Sequence, residues 1–182
     1  FDIFVRFGLG TLLTRDVASD RGQSNRYFAN TLILRTGLWL LSLPLMLAVG
    51  FAFARFGSLT QEESWAIALF AFALFFGNVA DSVNASFNAY EKMEYPAGVS
   101  VVIALGKIAL GALVLILGWG FVGLAAVSVV TNIVQAVWLL GLMRRRLFRP
   151  HLEADLPLQR QMLSASFPLM INHFLATAFF RI

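Results

Sequence analysis

The stretch "WAIALFAFALFFGNVADSVNASFNAY", residues 65–90, decides the fold class. Residues 65–77 are uniformly apolar, and the whole run is long enough to cross a hydrocarbon core of about 30 Å at ~1.5 Å per helical residue. Its second half nevertheless carries an aspartate and three asparagines. A charge at the centre of a membrane helix costs about 2.5–3.5 kcal/mol on insertion scales, so these groups must face other helices or water.

On a helix that turns about 100° per residue, the polar residues Asn78, Asp81, Asn84 and Asn88 fall on one side. The opposite side is apolar and consists of Phe72, Phe76, Val79, Val83, Phe87 and Tyr90. Each asparagine alone is also explained by an interhelical hydrogen bond, worth about 0.6 kcal/mol. Together with the aspartate, they predict a helix that lines an internal polar cavity.

The rest of the chain repeats the pattern of long apolar runs. It is 59% hydrophobic and 13% charged, whereas a soluble domain is about a quarter charged. The runs are Phe1–Leu13, Phe28–Ala54, Trp65–Tyr90, Ala97–Leu117, Phe121–Met143 and one that begins at about Ser164. Only helices satisfy the backbone here, since a barrel would show alternating segments of about ten residues. We predict an all-α, polytopic transmembrane helical bundle, and we expect the chain to be a fragment of a longer protein.

Basic residues in the connections predict the orientation, because Lys and Arg are retained on the cytoplasmic side. Alternate connections hold Arg15, Arg21, Arg26, Lys92, Arg144, Arg145, Arg146, Arg149 and Arg160. The other connections hold only Arg55. The first, third and fifth connections are therefore predicted to be cytoplasmic. The basic residues form no stripe that could follow a phosphate backbone, so the pI of about 10.1 does not indicate a nucleic-acid partner.

The fifth connection, "RRRLFRPHLEADLPLQRQ", divides the chain. Pro150 and Pro157 disfavour one continuous helix through it. We predict a transmembrane lobe over residues 1–143, a cytoplasmic loop between lobes over 144–163 and the first helix of a second lobe from 164 to 182. A loop that lies along the membrane surface is the alternative.

Further polar groups lie in the apolar runs at a common depth of about 10–15 Å from the cytoplasmic helix ends. They are Arg6, Arg35, Asp81, Lys107 and the pair Asn172 and His173, with Arg181 higher in its run. We predict that this layer lines a water-filled cavity. Three explanations that involve no function remain open for these charged groups. The arginines could extend to the membrane interface, Asp81 could pair with Lys107 across the tight turn between their helices, and Asp2 could neutralise Arg6.

The charges in this layer are mainly positive, and low-dielectric walls would concentrate their field on an anionic passenger. Asparagine and serine would add hydrogen bonds suited to sugar hydroxyls. No motif for hydrolysis or group transfer is present, and the absence of cysteine together with two isolated histidines gives no metal-ligand spacing. We therefore expect no catalytic residue, no metal and no cofactor, with coupling to H+ or Na+ as an open option.

Four segments carry a family resemblance: "FGLGTLLTRDVASDRG", "NTLILRTGLWLLSLPLML", "SFNAYEKMEYPA" and "SFPLMINHFLATAFFRI". In this order and spacing, the chain resembles the amino-terminal half of a polysaccharide-type lipid-linked oligosaccharide flippase. That family belongs to the multidrug/oligosaccharidyl-lipid/polysaccharide exporter superfamily. The resemblance covers the whole chain, from near the end of the family's second helix into its seventh.

The resemblance implies two helical lobes around a central cavity with alternating access. It implies transport of undecaprenyl-pyrophosphate-linked glycans across the bacterial inner membrane for lipopolysaccharide O-antigen, capsule or exopolysaccharide. Membrane lipids, a polysaccharide polymerase and assembly proteins are the implied partners. It assigns the anionic headgroup to basic residues of this lobe, here Arg6, Arg35, Lys107 and Arg181, and a coupling ion to Asp81.

Three other functions compete with the flippase. The first is a cation-coupled exporter of drugs or peptidoglycan precursors with the same fold. The second is a membrane-embedded glycan polymerase or ligase, although such enzymes carry a large extracytoplasmic loop and the outward connections here are short. The third is a non-catalytic subunit of a polysaccharide assembly complex, in which the polar faces would contact other subunits.

Overall fold

The computed structural model describes residues 7–56 and 61–180, and within them the side chains of all but residues 49, 51–56, 61–64, 172–174 and 176–180. This part of the chain contains six α-helices, one short 3-10 turn and no strand. The helices are α1 (Leu9–Ser19), α2 (Ser24–Phe56), α3 (Gln61–Ala89), α4 (Glu94–Ile116), α5 (Gly120–Arg146) and α6 (Leu156–Phe180), and the turn is Arg21–Gln23. The predicted all-α class is confirmed.

Four helical segments are long and apolar enough to cross a membrane. They are Arg21–Ala48, Trp65–Ala89, Glu94–Ile116 and Gly120–Arg146. Each overlaps one of the four central runs predicted from the sequence. The structure therefore supports the helical transmembrane bundle, with α1 and α6 beside these four helices.

The central helix of the bundle is α3. It packs against α5 most extensively and against α1 and α2 on its other sides. By contrast, α4 packs on α5 and barely touches α3, while α6 lies against α1 and α2. The polar side chains of α3 therefore have a neighbouring helix on each flank.

The apolar side of α3 is mostly buried within the protein. Val79, Val83 and Phe87 are almost fully buried and belong to one core cluster with Leu139 and Met143 of α5. Burial of a large apolar side chain contributes about 1.5–3 kcal/mol in water, and in a membrane close packing has to supply the equivalent. This cluster fixes the rotation of α3 and hence the direction of its polar side.

The first described helix overlaps the end of the predicted run Phe1–Leu13, whose residues 1–6 lie outside the described part of the chain. It begins at Leu9, after Phe7 and Gly8 with φ of 42° and 68°, and continues to Ser19. The left-handed backbone ends any helix that would enter from residue 7. Glycine is also required sterically, because a Cβ on Gly8 would lie 2.8 Å from the Cβ of Leu169 in α6.

The predicted loop over residues 144–163 is shorter in the structure. Helix α5 continues to Arg146, and α6 begins at Leu156, eight residues before Ser164. Pro157 does not prevent this, because at the second helical position its missing N–H is not needed. The carboxylate of Asp155 caps the helix by accepting from the Leu158 N–H at 3.1 Å. The division of the chain into two lobes stays a prediction.

The connection over residues 147–155 is fastened to the start of α2. The guanidinium of Arg26 pairs with Asp155, and its Nε donates to Oδ2 at 3.0 Å. The buried Oδ1 of Asn30 accepts from the Asp155 N–H and from Nε2 of Gln159, both at 2.8 Å. The hydrogen bond from Arg26 is the main reason that the pKa of Asp155 is lowered from its ordinary value. We call this set of contacts the linker clasp.

Candidate functional site: two polar chambers beside α3

The first chamber lies between α1, α2 and α3 and has a volume of about 580 Å³. Its lining is polar apart from small residues: Gly10, Thr11, Thr14, Arg15, Arg35, Asp81, Asn84, Ala85 and Asn88. Two arginines and one carboxylate contribute the formal charges. We call this space the arginine chamber.

Arg35 is the buried cation of the arginine chamber, with 3% of its surface exposed. Its Nη1 donates to the carbonyl oxygen of Asn78 and to Oγ of Ser82, both at 3.1 Å. The side chain passes close to α1, where a Cβ on Gly10 would lie 3.0 Å from Nη2. Both Nη1 acceptors are neutral groups of α3, and these two bonds orient the guanidinium toward that helix.

The other arginine lies at the exposed end of the chamber. Arg15 forms an ion pair with its neighbour Asp16 at 2.8 Å, and two thirds of its side chain are exposed. An exposed pair of this kind is weak, typically 0–1 kcal/mol. The exposed side chain of Arg15 can therefore change its position at the opening, whereas the side chain of Arg35 is held in place by its hydrogen bonds.

The second chamber lies on the other flank of α3, between α3 and α5, with a volume of about 380 Å³. Its polar lining consists of Asn78, Asp81, Asn132 and Gln135, and its apolar lining of Leu74, Gly77 and Ala80. We call this space the amide chamber. Asp81 lines both chambers, which therefore lie on either side of the same turn of α3.

The two chambers lie at different depths along α3. At ~1.5 Å per residue, Asn88 is next to the end of α3 at Ala89, Asp81 is ~12 Å from it and Asn78 is ~17 Å from it. On α5, Asn132 is ~21 Å from the end at Arg146. The arginine chamber is thus nearer the predicted cytoplasmic surface, and the amide chamber extends toward the middle of the bundle.

The amide chamber contains a buried polar atom that the protein does not satisfy. Asn78 is 5% exposed, and its Nδ2 has no hydrogen-bond partner among the residues that the structure describes. Asn132 is held differently, since its Nδ2 donates to the carbonyl oxygen of Ala73 at 3.0 Å. A buried, unmatched amide donor costs about 1–3 kcal/mol, which water or a ligand in the chamber would recover.

The structure brings together most of the predicted residues that it describes. Asn78, Asp81, Asn84 and Asn88 line the two chambers as one side of α3, and Arg35 reaches them from α2. The side chains of Asn172 and His173, together with Arg6, Arg181 and Asp2, lie outside the described residues. Their predicted place in the cavity stays a prediction.

Lys107 does not join this group. It is exposed on α4, lines neither chamber, and forms no ion pair with Asp81 within the described ranges. The physical reason is that α5 lies between the two helices, so equal depth on adjacent helices does not bring the charges together. The hairpin pairing of Asp81 with Lys107, considered from the sequence, is therefore wrong, and the predicted role of Lys107 in the cavity has no support from this geometry.

The sequence analysis missed several lining residues. Asn132 and Gln135 are three residues apart on the otherwise apolar α5, the same signal that identified the polar side of α3. Thr11, Thr14 and Ser82 had no such signal, because hydroxyl groups in membrane helices commonly bond their own backbone. Thr14 also contacts α3, with its Oγ1 3.1 Å from the carbonyl oxygen of Ala85.

Four membrane-spanning helices with polar chambers between them define a multi-pass membrane protein whose architecture fits a transporter. A family model for polysaccharide biosynthesis proteins matches residues 1–182. The chain therefore belongs to the polysaccharide biosynthesis protein family, in agreement with the resemblance seen in the sequence. No curated protein and no solved structure gave a significant match.

Proposed function

We propose that the chain is the cavity-forming part of a flippase that moves an anionic lipid-linked oligosaccharide across the bacterial inner membrane by alternating access. The proposed passenger is a glycan on undecaprenyl pyrophosphate. The family supports a polysaccharide-related transporter, and the choice of an anionic passenger rests on one observation: a buried, oriented guanidinium beside a chamber of about 580 Å³.

The arginine chamber suits a diphosphate for three reasons. Arg35 supplies a charge that cannot be deprotonated and a planar set of donors that matches phosphate oxygens. Thr11 and Asn84 line the same space and can donate further hydrogen bonds to the phosphate oxygens. Because the chamber lies beside apolar helices, the field of the arginines is screened less than it would be at an open surface.

The position of the chamber also suits a lipid-linked substrate. It lies near the predicted cytoplasmic ends of α1 and α3, where a diphosphate attached to a lipid in the inner leaflet would be located. The polyprenyl tail could then remain in the bilayer while the headgroup enters the bundle. Alternating access would follow from motion of this lobe against a second one around a site near the membrane midplane.

The experiment compares two substrates in proteoliposomes that contain the full-length protein. Both are short-chain polyprenyl lipids with the same glycan, one linked through a diphosphate and the other through an uncharged linker. We expect the diphosphate lipid to be flipped at least about tenfold faster, the factor that corresponds to 1.4 kcal/mol of differential interaction. Equal rates would contradict an anionic passenger, and protein-free liposomes give the background rate.

A further inference from the structure

We propose that the amide chamber is a separate binding subsite for the neutral, hydroxyl-bearing part of the glycan, distinct from the arginine chamber that binds the charged headgroup. This inference rests on the proposed function and adds a division of labour between the two flanks of α3. The diphosphate would lie with Arg35, and uncharged sugar rings would lie with Asn78, Asn132 and Gln135.

The lining chemistry of the two chambers differs in a way that supports this division. Among the residues that the structure describes, no Lys or Arg lines the amide chamber, whereas two arginines line the other. The three amides can both donate to and accept from sugar hydroxyls, and the carboxylate of Asp81 can accept from them. Among the described residues, a diphosphate would find no cation in the amide chamber to bind its charge.

The unmatched Nδ2 of Asn78 indicates that this chamber is built for a polar occupant. Asn78 is almost fully buried and lines a chamber of about 380 Å³, and its Nδ2 lacks a protein acceptor among the described residues. A packed helix interface would have matched this donor with a carbonyl, as α3 does for Asn132. An acceptor from outside the lobe, such as a sugar hydroxyl, would satisfy it.

The order of the chambers matches the order of groups in a lipid-linked glycan. The diphosphate lies between the lipid and the first sugar, and the arginine chamber is the one nearer the predicted cytoplasmic surface. The amide chamber continues from the shared Asp81 toward the middle of the bundle, about one helical turn deeper at Asn78. One molecule can therefore place its charge in the first space and its sugars in the second.

The test uses single cysteines in the full-length protein, after any native cysteine outside residues 1–182 is replaced by serine; this stretch contains none. Gln135→Cys reports on the amide chamber and Thr11→Cys on the arginine chamber. Each is labelled with a small water-soluble maleimide in the presence of inorganic pyrophosphate or of neutral oligomers of glucose, galactose or N-acetylglucosamine. We expect a neutral oligomer to slow labelling at Gln135→Cys and pyrophosphate to slow labelling only at Thr11→Cys.

Asn78→Leu removes the unmatched donor and nearly preserves the side-chain volume. In the Gln135→Cys background, we measure the sugar concentration that halves the rate of maleimide labelling. Asn78→Leu should raise this concentration about tenfold, because one buried hydrogen bond contributes up to about 1.5 kcal/mol. In the Thr11→Cys background, protection by pyrophosphate should be unchanged, because Arg35 bonds only the backbone of Asn78. That unchanged protection also shows that the variant is folded.

The outcomes separate this inference from the proposed function. Absence of pyrophosphate protection at Thr11→Cys overturns the proposed anionic headgroup site. Protection at Thr11→Cys with no sugar protection at Gln135→Cys leaves that site standing and overturns the sugar subsite. No labelling at Gln135→Cys, or protection there by pyrophosphate alone, also overturns the subsite.

Discussion

The most informative single change is Arg35→Gln. It removes the buried positive charge that Arg35 contributes to the arginine chamber and leaves a neutral side-chain amide. A phosphate in the chamber would lie about 5 Å from the guanidinium. At an effective dielectric constant of 20, a unit charge at that distance contributes about 3 kcal/mol, or about a hundredfold in Kd.

The assay is the pyrophosphate concentration that halves maleimide labelling of Thr11→Cys. We expect Arg35→Gln to raise it about a hundredfold and Arg35→Lys about tenfold, since lysine keeps the charge but loses the bidentate donor geometry. Arg145→Gln is the matched control, because Arg145 is exposed at the end of α5 and lines neither chamber. A change below threefold for Arg35→Gln, or an equal change for Arg145→Gln, would refute the reasoning.

Three further changes test the packing, the linker clasp and the limits of the site. Gly8→Ala should lower the free energy of unfolding by about 1–2 kcal/mol, because alanine is strained in the left-handed backbone at this position, and the melting temperature in detergent should fall. The control is Gly37→Ala, which should not lower the melting temperature because nothing lies within 4 Å of the added Cβ. Because Arg26 lowers the pKa of Asp155, the clasp should be intact at neutral pH and open only as pH falls below the ordinary carboxylate range of about 4. Hydrogen exchange over residues 147–155, corrected for its intrinsic pH dependence, should show this opening, and Asp155→Asn should already exchange faster at neutral pH. Lys107→Gln should not change the pyrophosphate concentration that halves labelling of Thr11→Cys. A rise as large as that for Arg35→Gln would show that Lys107 belongs to the site.

The fold class could be predicted from the sequence because its cause is local. A run such as residues 65–90 cannot satisfy its backbone in a membrane except as a helix, whatever surrounds it. The boundaries that failed depend on single backbone groups. Gly8, through its positive φ, sets the start of α1 at Leu9, and Asp155 starts α6 early by capping the N–H of Leu158.

The site could be predicted only in part, for the same physical reason. The polar side of α3 depends on one helix only, and the helical spacing of its polar residues can be read directly from the sequence. The partners of that side depend on which helices are adjacent, and equal depth does not determine adjacency. Arg35 reaches α3 because α2 packs on it, whereas Lys107 does not because α5 intervenes. Asn132 enters the site through that same intervening helix.

The central claim is that the two flanks of α3 bind the charged and the neutral parts of one lipid-linked glycan. The most direct measurement is an electron cryo-microscopy structure of the full-length protein with a bound polyprenyl-diphosphate glycan. We predict density for the diphosphate against Arg35 in the arginine chamber and density for sugar rings against Asn78 and Asn132 in the amide chamber. Diphosphate density away from Arg35, with both chambers occupied only by water, would contradict the account.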